Sequence, residues 1–175
     1  DLISHNGIIL MVKSKIVESE PAMILQEQKK YLVITDLHIG FENTFSINKI
    51  FLGKNSSVKQ TISNIKKLIQ NENADSVILL GDIKSSIQQI TKNEWNDIPY
   101  FFDEVKKMAN VILVPGNHDA GIEKLVPDEI QMISSKGLVI DNVLLTHGHS
   151  MPSENFSNVN RIIMGHIHPI FFQED

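Results

Sequence analysis

Apolar residues along this chain fall into short runs that keep ending on polar clusters. Residues 7–17 are dominated by apolar and β-branched positions and predict a strand. Residues 31–35 predict a short buried strand that ends on Asp36-Leu37-His38. Residues 56–70 carry Val58, Ile62, Ile65, Leu68 and Ile69, which share one helical face, with Ser56 or Ser57 placed to cap it. Residues 76–80 predict another buried strand, ending on Gly81-Asp82. Thr91 and Glu94 have the spacing of a capping box, and Trp95, Phe101, Phe102, Val105 and Met108 would line the helix that follows. Pro99 is expected to break that helix or to mark its start. A third buried strand over 111–114 ends on Pro115-Gly116-Asn117-His118-Asp119.

The pattern then changes to short strands over 130–134, Leu138–Ile140 and Val143–Thr146, with Asp141-Asn142 as a tight hairpin turn. The last of these ends on His147-Gly148-His149. A further strand, Arg161–Met164, ends on Gly165-His166-Ile167-His168-Pro169. Strands alternating with helices in the first half predict parallel pairing, and the later hairpin predicts a second sheet. Five strands thus end in polar clusters. In open α/β sheets ligands bind beyond the carboxyl ends of the strands, so these clusters are expected to converge.

Composition narrows the reading. The chain has 175 residues, 42% hydrophobic and 21% charged, as expected of one folded domain over residues 1–175. No apolar run approaches the roughly 20 residues of a spanning helix, so no membrane partner is expected. No secretory pattern is visible, and a cytoplasmic location is expected. Cysteine is absent, so any metal must be held by His, Asp, Glu, Asn or water. The net charge of -5, with no Lys/Arg cluster longer than a pair, argues against a broad phosphate-tracking surface. It leaves room for a nucleotide or a strand end as substrate.

Each cluster alone has a bland reading. Asp36 reads as a turn residue and His38 as a surface one. Gly81-Asp82 is ordinary turn chemistry. Asp119 reads as a helix-cap or other structural residue. Five of the seven histidines, however, lie at His118 and in the two late clusters, and His5 alone lies outside the whole pattern. The donors together are two carboxylates, one amide oxygen and several imidazoles. That set suits Mn, Fe or Zn better than Mg or Ca. Seven candidates (Asp36, His38, Asp82, Asn117, His147, His166 and His168) are too many for one ion and suit two sharing a bridge. A two-metal site activates a shared water for in-line attack at phosphorus and neutralises phosphoryl charge. An unligated histidine can protonate the leaving oxygen.

These five motifs, in this order, resemble the signature of calcineurin-like metallophosphoesterases. The texture of Asp36-Leu37-His38-Ile39-Gly40, Gly81-Asp82-Ile83-Lys84 and His166-Ile167-His168-Pro169 is similar to the compact SbcD-related and DNA-ligase-associated phosphoesterases. The resemblance implies an α/β fold, a two-sheet αββα sandwich. It implies two divalent transition-metal ions, Mn2+ first, with Fe or Zn as alternatives. Asp36, His38 and His168 would hold one ion, and Asn117, His147 and His166 the other, with Asp82 between them. His118 would be the proton donor, with Asn117 near the phosphate. His149 would either support a ligand or touch substrate. Two features depart from the family pattern. Lys84 stands where many relatives carry a residue that steadies the proton donor; it would meet substrate phosphate or lie solvated on the surface. The chain also stops soon after His168, where relatives usually continue, which implies a truncated C-terminus. The expected function is hydrolysis of phosphodiester or phosphomonoester bonds, on a nucleotide or nucleic-acid end, by a metal-bridging hydroxide. The alternative is an inactive scaffold of the same fold that binds a protein partner, against which every motif position is filled by a competent residue. Self-association stays open.

Overall fold

The computed structural model describes residues 12–18, 20, 22–41, 58–152, 156 and 159–167. Six strands form one sheet in sequential order: β1 (Lys13–Ile16), β2 (Ala22–Gln26), β3 (Lys30–Ile34), β4 (Ser76–Leu79), β5 (Asn110–Leu113) and β6 (Gln131–Met132). The first three pair antiparallel; β3 to β6 run parallel. Helices α1 (Val58–Glu72) and α2 (Glu94–Val105) provide the crossovers from β3 to β4 and from β4 to β5. A second sheet holds β7 (Leu138–Ile140), β8 (Val143–Thr146) and β9 (Arg161–Met164) in that order.

The strand period of two sorts the core into two layers. Leu32, Ile34, Val77, Leu79, Val111 and Leu113 face the helices and meet Ile65, Ile69, Ile98, Phe101, Phe102 and Val105. Their neighbours Val33, Ile78, Leu80 and Val114 face the other way and meet Val143 and Leu145 of the second sheet. The central strands are therefore apolar on both faces, as parallel strands under helices require. The described layers are helix, six-stranded sheet and three-stranded sheet, a mixed α/β sandwich of the expected class. Among the described residues no helix is long and apolar enough to cross a membrane.

Several expectations need adjustment. Strand β2 was not foreseen, although Ala22, Ile24 and Leu25 are buried. The strand expected over 7–17 is seen as Lys13–Ile16, and its residues 7–11 lie outside the described set, as do the expected caps Ser56 and Ser57. The segment 130–134 keeps only Gln131–Met132 as strand and adds to the first sheet beside β5, not to the second. Pro99 neither breaks nor begins α2: the helix runs through it. Pro removes only one ladder bond there, while fully buried Ile98, Phe101, Phe102 and Val105 hold both sides of it in the core. Trp95 lies at the edge of that stripe and is 49% exposed rather than lining it. The capping box forms: the Thr91 N–H donates to Glu94 Oε2 (2.7 Å) and the Glu94 N–H to Thr91 Oγ1 (3.3 Å).

Phe101 is fully buried and stacks edge-on against Phe102 at 5.4 Å. Phe101→Ala is expected to destabilise the fold by about 3–5 kcal/mol, read from the shift of a denaturant midpoint. A loss under about 1 kcal/mol would contradict the core placement of α2.

Candidate metal centre

The pairing of β3 with β4 does not stop where the strands stop. The Leu80 N–H donates to Ile34 O, Asp36 N–H to Gly81 O, His38 N–H to Asp82 O and Ile39 N–H to Ile83 O, at 2.7–3.1 Å. The loops after the two strands are thus zipped together. This brings Asp36 and His38 against Asp82 without any secondary structure of their own. The loop after β5 joins through Asp119. Its Oδ1 accepts from the N–H groups of Ile83 (2.8 Å) and Lys84 (3.2 Å), and its Oδ2 from that of Gly116 (2.8 Å). Asp119 is buried and acts as a backbone clamp, in line with the structural role expected of it.

Backbone conformation marks the same residues. Asp36, His38, Asp82 and His166 have φ of 57°, 46°, 54° and 65°. Asn73 and Asp141 are the other non-glycine residues with positive φ among those described. A left-handed residue costs of order 1 kcal/mol, and Asp, Asn and His tolerate it best. Four such residues at one set of strand ends point to strain held in place by surrounding structure. Gly116 is needed for close approach: a Cβ there would overlap Asp82 Oδ1 and the Asp82 backbone nitrogen.

Asp82 lies at the centre and is 2% exposed. Its Oδ1 accepts the His118 backbone N–H at 2.9 Å. Its Oδ2 lies 3.3 Å from His147 Nε2 and 3.8 Å from His118 Nε2. Burial would raise its pKa, but the hydrogen bonds from His147 and the His118 N–H, with the charges of both histidines, outweigh it and hold the carboxyl at about 2. Asp82 is therefore a carboxylate at any working pH.

His147 is fully buried, with Nδ1 2.9 Å from Leu80 O. A carbonyl can only accept, so Nδ1 carries a hydrogen in either protonation state, and Nε2, 3.2 Å from Asn117 Oδ1, donates inward when protonated and offers its lone pair there when neutral. That fixed tautomer is what a metal-ligating imidazole requires. His118 is held the same way, its Nδ1 donating to Ser85 O at 2.7 Å.

Two groups of ligand atoms, each mutually within 4.8 Å, share Asp82: His38, Asp82 and His118, and Asp82, His147 and His166. The donor set and its geometry fit divalent metal. Asp36 falls outside both groups and instead accepts the His166 N–H at its Oδ2 (3.3 Å), beside the Thr35 hydroxyl (2.9 Å). His118, expected as proton donor, lies within ligand range of His38 and Asp82. His168 lies outside the described residues. His149 borders the second group, its ring 5.4 Å from that of His147. Its Nδ1 is buried without a hydrogen bond, and burial and the nearby charge of His147 lower its pKa. Lys84 meets neither expectation: it is fully buried, its ammonium on Ser86 O and 3.3 Å from Ser86 Oγ. The backbone bonds that join Ile39 to Ile83 and Ser85 close the loop over Lys84 and leave it no route to solvent. A cleft of about 460 Å³ opens beside Asp36, lined in part by Thr35, Thr61 and Asn64.

A family model described as calcineurin-like phosphoesterase matches residues 29–170. The fold is similar to that in the crystal structure of the Pseudomonas putida nuclease MPE, with a TM-score of 0.57 and 18% identity, over 92% of this chain and 76% of that one. No curated protein matches the chain.

As a candidate ligand, His147 would weaken metal uptake at acid pH. Burial lowers its pKa, but its bonds to Asp82 and Leu80 O and the charges of Asp82 and Asp36 raise it more, so the net shift is upward. An ion needs Nε2 unprotonated, so protons compete and affinity rises with pH. Calorimetric titration of Mn2+ or Zn2+ is expected to give affinity at least about tenfold weaker at pH 6 than at pH 8, with proton release on binding. Affinity independent of pH would remove His147 from the ligand set.

Proposed function

Since the chain belongs to the calcineurin-like phosphoesterase family, a family of metal-dependent phosphoesterases, we propose that it hydrolyses phosphoester bonds with two divalent transition-metal ions, Mn2+ first among them, held on either side of Asp82. The observation that carries this reading is that both groups of convergent ligand atoms share Asp82. His38 and Asp36, with His168, are proposed for one ion; Asn117, His147 and His166 for the other. When bound, such ions supply an acidified water as nucleophile and neutralise charge on the phosphoryl oxygens during in-line displacement.

The protein's own groups do the rest. Asp82 presents Oδ2 because Oδ1 is committed to the His118 N–H. Asn117 Oδ1 and His147 Nε2 sit side by side, so the amide stays close to where phosphate would bind. His118 has one ring nitrogen committed to Ser85 O, so only Nε2 can hand a proton to a leaving oxygen. The proposed substrate is a nucleotide or a nucleic-acid end. The fold likeness to a nuclease supports that class, and the acidic net charge favours contact with a short stretch rather than a long duplex.

The test is hydrolysis of bis-p-nitrophenyl phosphate by metal-stripped protein with Mn, Fe, Zn or Mg added back. Asp82→Asn is expected to lose at least about 100-fold in activity and to bind fewer ions, since two-metal catalysis depends on the bridge. Full metal content and activity in that variant would sink the dinuclear reading. His118→Asn is expected to keep its metals and lose about 100-fold or more with poor leaving groups, and far less with nitrophenolate. Loss of an ion in His118→Asn would instead make it a ligand.

A further inference from the structure

We propose that Glu94, beyond capping α2, is a positioning residue that aims the His118 ring through the Ser85–Ser86 peptide. The position of Glu94 is the first clue. It precedes Ile98, Phe101, Phe102 and Val105 by four, seven, eight and eleven residues, so it sits on the stripe that α2 buries. It is 1% exposed. A carboxylate there is costly unless its oxygens are fully hydrogen-bonded. A capping glutamate needs one backbone N–H, and Thr91 provides it. Glu94 has three more donors, all from the loop that follows Asp82. Oε1 accepts the Ser85 N–H (3.0 Å) and the Ser86 N–H (2.8 Å), and Oε2 accepts the Ser86 hydroxyl (2.6 Å). These bonds outweigh burial and lower its pKa.

The Ser86 N–H belongs to the same planar peptide as the Ser85 C=O. In a trans peptide the two point in opposite directions. Holding the N–H on Glu94 therefore aims the carbonyl away from α2, and it meets His118 Nδ1 at 2.7 Å. Lys84 fixes the next peptide by donating to Ser86 O from its buried ammonium. The segment is thus held by a carboxylate on its N–H side and an ammonium on its next carbonyl. The ring it holds touches His38 edge-on at 4.9 Å. Turning the 85–86 peptide would remove the acceptor that fixes the tautomer of His118 and free its Nε2 from its aim at the site.

The kinetic part of this proposal rests on His118 as proton donor; the structural part does not, and two readouts separate them. The first is nitrogen NMR of histidine-labelled full chain with Zn2+ added. The wild type is expected to show a His118 Nδ1–H protected from exchange. Glu94→Ala is expected to lose that protection, while Thr91→Ala, which removes only the cap hydroxyl, keeps it. The second readout is kcat across esters of different leaving groups. Glu94→Ala is expected to lose about tenfold with an alkyl or phenyl leaving group and less than about threefold with nitrophenolate, with KM unchanged. Glu94→Gln, closest in shape, follows in the same direction with a smaller effect, because a neutral acceptor holds the N–H groups less strongly; it is read if Glu94→Ala does not fold. A wild-type His118 ring in whichever Glu94 variant folds overturns the proposal. Equal effects of Thr91→Ala and Glu94→Ala on the ring also overturn it, since the glutamate would then act only as a cap. Altered ring protection with losses equal across leaving groups supports the positioning role and removes His118 as the acid.

Discussion

A carboxylate that is buried and must stay charged governs the arrangement of this protein. Asp82 is shut away from water at the carboxyl end of β4, and the hydrogen-bond donors around it compensate for that. The His118 N–H takes one oxygen, and imidazoles from the loops after β8 and after β5 face the other. Gly116 is glycine because nothing larger fits beside the carboxylate. The loops that carry Asp36 and His38 are tied to its own loop by backbone bonds. The desolvation of one charge thus accounts for the residue types that follow β5 and β8, where Gly116, His118 and His147 meet it.

The framework that meets this demand is made of peptide groups more than of side chains. The rings of His147 and His118 are oriented by backbone carbonyls, Leu80 for His147 and Ser85 for His118. Asp119 and Glu94 are buried carboxylates whose partners are nearly all backbone N–H groups. Such a framework is stiff, because each peptide is planar and donates and accepts at fixed angles. It can also hold a strained main chain, which explains how four candidate ligands persist in left-handed conformation.

Much of this was legible in the sequence because the signals were periodic or clustered. Short apolar runs ending on Asp, Asn and His located β3, β4, β5, β8 and β9 to within a residue or two, and the motif order pointed to the family. The losses have physical causes. Strand β2 carries no turn-bounded alternation to separate it from its surroundings. Pro99 reads as a breaker locally, yet four buried side chains override it. The two residues of β6 are placed by pairing with β5, which no local pattern encodes. Lys84 shows the limit most clearly, since charge predicts exposure while its neighbours in space bury it. Glu94 was visible as half of a capping box. Its three bonds to Ser85 and Ser86 depend on a tertiary contact that spacing cannot reveal.

The distribution of the site along the chain has a consequence for how the protein acquires its metals. Donors arise at residue 36 and again at residue 166, and no two neighbouring motifs complete either group. A chain emerging during synthesis would therefore lack the His147–His166 group until β9 has docked beside β8. Capture of a second ion would then follow folding and select the finished molecule. Once captured, an ion that binds only the finished form pulls the folding equilibrium toward it by mass action. Metal supply would then govern how long the protein persists in a cell as well as whether it works.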